Sequence, residues 1–195
     1  APRLTFSGPD GDDFALIEVQ DDRTPWTEGG IDPDLAVRGF HSASMRLADD
    51  GATAEVLRFM GYEVGEKDGA SQRFVMPDGN GADSIDIETI PGAQAARQGA
   101  GSVHHIAFAV EDRAAQLEVR KALLDTGHQV TPVIDRDYFW AIYFRTPGGI
   151  LFEVATNEPG FDRDEDIAHL GEALKLPKQH EDQRSLIESH LQPLA

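Results

Sequence analysis

A histidine and a glutamate are the first residues of this sequence able to do chemistry. His105 lies in SVHHIAFAV (102–110) and Glu153 in GILFEVATN (149–157). The first stretch alternates outward and inward residues as a strand does, and the second is an apolar strand with one carboxylate inside it. A carboxylate in that setting needs a partner or a metal. Pairing of the two strands in one curved sheet would turn His105 and Glu153 to the same concave surface. With one more histidine they would form a two-His, one-carboxylate set, which suits Fe(II) with open positions for substrate and oxygen. The plain structural alternative is a hydrogen-bonded core histidine and a salt bridge from Glu153 to Arg145 or Arg136. His104 should point to the opposite face of a regular strand, as a polar surface or inter-unit residue, and could join the same metal only at a bulge. Tyr143, ten residues before Glu153, fits a neighbouring antiparallel strand, where core packing competes with a functional role. Arg136 lies near the same hairpin.

The elements that must position these groups occur twice. GFHSASMRL (39–47) reads like 102–110, and His41 precedes His105 by 64 residues. Each strand leads into an acidic start and a helical pattern, roughly 49–61 and 111–127, stopped by Gly61 and Gly127. Strand-like segments follow at roughly 62–65, 71–76 and 84–90, and again at 129–134, 139–145 and 150–156. The last two of each set are joined by Pro-Gly turns, MPDGNG and TPGG. Glu88 precedes Glu153 by 65 residues, so His41 and Glu88 are the expected equivalents of His105 and Glu153. They would be either a second site or a relic of duplication. Residues 1–20 read as strand, PDG turn and strand, with Glu18 in the position of Glu88 and Glu153. This is the expected final hairpin of a preceding unit. A connector (21–37), a βαβββ unit (38–91), a second unit with the metal-ligand positions (102–157) and an acidic tail (158–195) complete the organisation. Helices are expected in the tail at 164–176 and 181–192, separated by Pro177. The fold class is therefore α+β, built of paired βαβββ units.

Composition removes whole classes of function. The chain has 195 residues and no cysteine, which excludes disulfides, thiolate metal sites and cysteine nucleophiles. Its 35 acidic against 17 basic residues give a charge of −18, which disfavours nucleic acid and anionic membrane as partners. Only four of the basic residues are lysines, a balance that would suit a salty cytosol. No apolar run is long enough for a transmembrane helix and the N-terminus carries no signal pattern, so the expected location is cytoplasmic. Because residue 1 is not Met, the chain is expected to be processed, trimmed or a fragment. Walker, dinucleotide, nucleophile-elbow and H-E-x-x-H motifs are absent from the sequence.

The duplicated units, the HHIAFAV strand and the block YFRTPGGILFEVATNEPGF resemble the vicinal oxygen chelate superfamily, which includes glyoxalase I, fosfomycin and bleomycin resistance proteins and extradiol dioxygenases. The tail NEPGFDRDEDIAHLGEALKLP and the RGFHSAS segment (38–44) are similar to its ring-cleaving hydroquinone dioxygenase branch. The resemblance implies four βαβββ units in the family protein, of which this chain matches the second half. It implies that His105 and Glu153 are two of three Fe(II) ligands, with Mn(II) as the alternative metal. It also implies that His104, Tyr143 and Arg136 hydrogen-bond substrate or oxygen, with Tyr143 or His104 as acid–base groups. In the hydroquinone branch the third ligand comes from a strand that this chain does not contain. In the catechol-cleaving branch its counterpart would be His41.

The expected activity is ring cleavage of a hydroquinone-like aromatic with dioxygen. The alternatives are a glyoxalase-like isomerase or transferase, and a subunit that binds a small aromatic without chemistry. Half of such a molecule would leave apolar sheet exposed. A second copy or an N-terminal half is therefore expected to cover it, giving a homo- or hetero-oligomer.

Overall fold

The computed structural model of the chain describes residues 2–94, 98–99 and 101–192. It opens with an antiparallel hairpin, β1 (Arg3–Ser7) and β2 (Asp13–Ile17). Next come β3 (Ser42–Leu47), helix α1 (Gly51–Phe59), β4 (Glu63–Asp68), β5 (Ser71–Val75) and β6 (Ser84–Thr89). The pattern then recurs as β7 (Ile106–Val110), α2 (Arg113–Asp125), β8 (Ile134–Asp135), β9 (Phe139–Arg145) and β10 (Leu151–Pro159). A short helix, α3 (Arg184–His190), lies in the tail.

The two repeats share one strand order. The first sheet runs β3-β6-β5-β4 and the second β7-β10-β9-β8, so in each the last strand inserts beside the first. In the first sheet β3 lies parallel to β6, while β6–β5 and β5–β4 are antiparallel. This is the α+β, vicinal oxygen chelate arrangement. Helix ends follow local chemistry. The Asp112 carboxylate accepts the Ala115 N–H at 2.9 Å and starts α2. Gly127, at φ 86°, supplies the left-handed residue that ends it.

The chain forms two compact units, residues 1–106 with 144–152 and residues 107–143 with 153–195. In the first, Leu47, Val56, Leu57, Phe74, Ile85 and Ile87 are buried together with Phe144 and Phe152. The β9–β10 turn belongs to this unit because it packs on α1. The buried Thr53 hydroxyl accepts the Gly148 N–H at 3.1 Å and donates to Thr146 Oγ1 at 3.4 Å. In the second unit Leu123, Ala141, Ile142 and Val154 are buried. Gln116 is fully buried there, and its Nε2 donates to the Trp140 and Val154 carbonyls at 2.7 and 2.8 Å. It thereby fastens α2 to both β9 and β10.

Several expected elements are shorter. His41 and His105 precede β3 and β7 instead of lying within them. The stretch 129–134 contributes only the two-residue β8 (Ile134–Asp135), pairing with β9. The tail helix expected at 164–176 is replaced by one 3-10 turn, Ile167–His169, and Gly171 at φ 81° breaks the helical path. The helix expected at 181–192 becomes a 3-10 segment, Lys178–Gln183, followed by α3. Residues 193–195 of the tail lie outside the described residues. Among the described residues no helix is long and apolar enough to cross a membrane.

Candidate functional site

The β9–β10 hairpin brings three of the expected site residues together. Its turn is closed by the Thr146 N–H donating to the Ile150 carbonyl at 2.9 Å. Counting back in antiparallel register places Tyr143 opposite Glu153, and the Tyr143 hydroxyl donates to the Glu153 carboxylate. Glu153 is only 2% exposed. Arg136 reaches the pair from the tight turn between β8 and β9. Its Nη2 donates to the Tyr143 hydroxyl at 3.3 Å, and its guanidinium carbon lies 5.5 Å from the centre of the Tyr143 ring.

The backbone of this group is held from several sides. The Tyr143 N–H donates to Thr131 Oγ1 at 3.0 Å and the Thr131 N–H returns a bond to the Tyr143 carbonyl at 3.0 Å. The Arg136 turn is closed by its own N–H on the Phe139 carbonyl at 2.9 Å. An ion pair from Arg163 to Asp137 at 3.2 Å braces it, with Asp137 in the left-handed region at φ 69°. Burial raises the Tyr143 hydroxyl above its ordinary pKa of 10.0. The Arg136 hydrogen bond opposes this, and the Glu153 carboxylate reinforces it.

His104 and His105 meet each other. Their Nδ1 atoms are 2.8 Å apart and their rings stand edge to face, 5.1 Å between centres. A regular strand would separate neighbouring side chains, and this contact exists because both residues precede β7 (Ile106–Val110). One Nδ1 must carry a proton and the other a lone pair, so the pair fixes complementary tautomers when both rings are neutral. Gln98 ties the segment down, donating to the His104 carbonyl at 2.7 Å and accepting from Arg145 at 3.1 Å. Arg145 is therefore engaged with Gln98 and with the Gly149 carbonyl at 2.9 Å.

The first repeat departs from the expected pairing. Glu88 is half-buried and bonds Arg46 at 3.0 Å. The buried carboxylate of β6 is Asp86, two residues earlier and 3% exposed. The sequence does carry a signal for this. Asp86-Ile87-Glu88-Thr89 and Glu153-Val154-Ala155-Thr156 share an acid, a β-branched residue, one variable position and a threonine. Fixed spacing from the helix obscures the match, because α2 is longer than α1 and the second turn is shorter than the first. His41 accepts from or donates to Ser42 Oγ at 3.0 Å. It borders an open depression of about 710 Å³ together with Asp21, Arg23, Asn80 and Asp83. Burial, then the charges of Arg73 and Arg3, lower its pKa below 6.5. Glu18 follows the end of β2.

The donor set is what a hard or borderline divalent ion would use: an imidazole and a buried carboxylate. Among the described residues no group of three or more His, Asp or Glu side chains is placed to hold a metal ion. His105 and Glu153 supply donor types that such an ion takes.

Residues 43–154 match the Glyoxalase/Bleomycin resistance protein/Dioxygenase superfamily. The chain is 40% identical over 192 residues to a Bacillus subtilis protein named "Putative ring-cleaving dioxygenase MhqO", covering 97% of itself and 61% of that relative. It is 34% identical over 189 residues to the chlorohydroquinone/hydroquinone 1,2-dioxygenase of Sphingobium indicum, covering 91% of itself and 57% of the relative. The crystal structure of a "putative dioxygenase" from Bacillus subtilis superposes with a TM-score of 0.92 at 38% identity, over 99% of this chain and 62% of that one. A domain from Frankia superposes at 0.53 with 18% identity, over 64% of this chain and 96% of that one, a likeness of fold alone. The chain spans about three fifths of the length of the curated relatives it matches. Its doubled strand-helix-strand pattern, its sheet order and these matches agree: the chain belongs to the Glyoxalase/Bleomycin resistance protein/Dioxygenase superfamily.

Proposed function

We propose that the chain is part of an Fe(II)-dependent dioxygenase that cleaves the ring of a hydroquinone-like aromatic. The observation that carries the reading is the hydrogen-bonded series Arg136–Tyr143–Glu153, which runs from the β8–β9 turn onto the β9–β10 hairpin. His105 and Glu153 would hold the ion, with the third ligand supplied from outside this chain. When bound, the ion supplies the redox centre for the reaction of the ring with dioxygen. The protein groups have separable tasks. Arg136 and Glu153 fix the Tyr143 hydroxyl between a donor and an acceptor, so its proton is held at a defined atom and is available for transfer. The guanidinium beside it stabilises negative charge on a substrate oxygen. His104, exposed and hydrogen-bonded to His105, stands where its ring can donate to or accept from a substrate oxygen.

The assembly belongs to the same proposal. In the β1–β2 hairpin Leu4 lies opposite Leu16 and Phe6 opposite Phe14, and all four are exposed. Further polypeptide, either a second copy or a preceding βαβββ segment, would cover this apolar face.

Anaerobic Fe(II) titration by calorimetry of the chain together with the polypeptide that completes the ligand set, with Glu153→Gln alongside, followed by oxygen-electrode assays on hydroquinone, tests the reading. Binding lost in Glu153→Gln, with one dioxygen consumed per ring cleaved, is the expected result. Fe(II) binding that ignores the substitution overturns the ligand assignment. Turnover without oxygen uptake overturns the reaction in favour of an isomerase or transferase.

A further inference from the structure

The first repeat keeps both protein groups of the second, a histidine before its first strand and a buried acid on its last, yet surrounds them differently. Asp86 on β6 stands directly opposite Arg73 on β5. Arg73 grips it as a fork, Nε to Oδ1 and Nη2 to Oδ2, both at 2.8 Å. Arg3, from β1, adds a third contact to Oδ2 at 3.4 Å. Only 5% of the Asp86 side chain is exposed. In the second repeat the residue opposite the buried acid is Tyr143, a neutral hydroxyl. Arginine in place of tyrosine across the hairpin, aspartate in place of glutamate and the added Arg3 contact thus distinguish the two sites.

We propose that guanidinium has replaced metal in the first repeat: Arg73 and Arg3 occupy the charge role of a divalent ion at Asp86, so the 38–91 unit binds no metal and His41 is not a ligand. The two arginines together carry the formal charge of one such ion. Both carboxylate oxygens are taken up by the planar fork of Arg73, so a divalent ion would have to displace these bonds to reach either one. A divalent ion approaching His41 would meet two fixed positive charges before reaching a free oxygen. His41 itself is turned to Ser42 through Nδ1. The pair does structural work instead, since Arg3 ties the β1–β2 hairpin to the first sheet through the same carboxylate. The assignment of Glu153 as a ligand serves here only as the comparison, and the test does not depend on it.

The experiment uses Co(II) alone as the probe, read by calorimetry and by the visible absorption of the bound ion. The starting protein carries His105→Ala and Glu153→Gln, which removes the second repeat's groups whether or not they bind metal. Adding His41→Ala to it should leave Co(II) binding unchanged. Adding Arg73→Tyr with Arg3→Gln should tighten Co(II) binding by about tenfold or more, and His41→Ala or Asp86→Asn should abolish the gain. Binding in the starting protein that depends on His41 while both arginines remain would overturn the proposal. So would an opened variant that unfolds cooperatively yet gains no binding. If the opened variant does not fold, the His41 comparison still decides. Failure of the Fe(II) titration on the completed assembly would count against the proposed activity and leave this result untouched.

Discussion

Arg73 and Asp86 face each other across adjacent strands of the first sheet in a two-bond fork, 2.8 Å at each contact. Tyr143 and Glu153 take the corresponding places in the second. The same backbone therefore presents a closed ion pair in one repeat and a hydroxyl–carboxylate pair, braced by Arg136, in the other. The repeated frame is shared, and the side chain opposite the acid differs.

The ion pair makes a pH prediction. Burial raises the Asp86 pKa, but the Arg73 hydrogen bond and charge, aided by Arg3, outweigh it and leave the group below its ordinary 3.8. A depressed carboxylate stabilises the fold above its unfolded pKa and loses that contribution as pH falls through its folded value. Arg73→Gln should cost about 3 kcal/mol at neutral pH, because it leaves a buried charge with only the longer Arg3 contact. It should also flatten the loss of stability as pH falls below the ordinary carboxylate value of 3.8. Urea unfolding across that range checks both, and an unchanged acid limb would refute the linkage.

Gly148 is predicted to resist any side chain. A Cβ there would lie 2.7 Å from Thr53 Oγ1 and 2.9 and 3.0 Å from the Leu47 methyls, all buried groups. Gly148→Ala should lower stability by about 1–3 kcal/mol through overpacking and through displacement of the Thr53 hydroxyl from the Gly148 N–H. Thermal unfolding of this variant beside Gly149→Ser, where nothing lies within 4 Å but φ is +85°, separates crowding from backbone strain.

Gln116 should tolerate no apolar replacement. Its amide nitrogen satisfies two buried carbonyls on adjacent strands, while its Oε1 is the buried side-chain atom without a partner among the described residues. Gln116→Leu removes one unpaired acceptor but orphans the Trp140 and Val154 carbonyls. The balance should be a loss of about 2 kcal/mol, seen in chemical denaturation. Hydrogen exchange should rise first in β9 and β10.

Tyr143→Phe isolates the hydroxyl. The ring and its contact with the Arg136 guanidinium remain, whereas the bonds to Arg136 and Glu153 are lost. Under the proposed reaction kcat should fall about 100-fold with KM nearly unchanged, the pattern of a lost proton-transfer group. Unfolding should move by only about 1 kcal/mol. A rise in KM alone would make Tyr143 a substrate-binding residue.

Much of this architecture was legible in the residues. Alternating strands, amphipathic helices stopped at Gly61 and Gly127, and Pro-Gly turns repeated in order gave the doubled βαβββ pattern, since each rests on local backbone preference and burial period. Glu153 stood out because a lone acid in GILFEVATN conflicts with its neighbours. The tail was less legible. DEDIAHLGEALKL has helical spacing, yet Gly171 and the Asp166 cap on the Ala168 N–H resolve it into a turn. Nucleation is costly for so short a segment without a surface to pack on.

What the sequence determined by itself was the repeat, the fold class and the identity of the acid on β10, because periodicity and composition are properties of neighbours along the chain. Only the tertiary structure decided that Asp86, not Glu88, is the buried acid of the first repeat, and that Arg73 and Arg3 grip it. It also decided that His104 and His105 touch and that Arg136 reaches Tyr143. Those outcomes turn on register between strands and on where each strand begins. Two like acids two residues apart share a face in any strand, and which one is covered depends on partners brought in by the fold, Arg73 on the next strand and Arg3, 83 positions away.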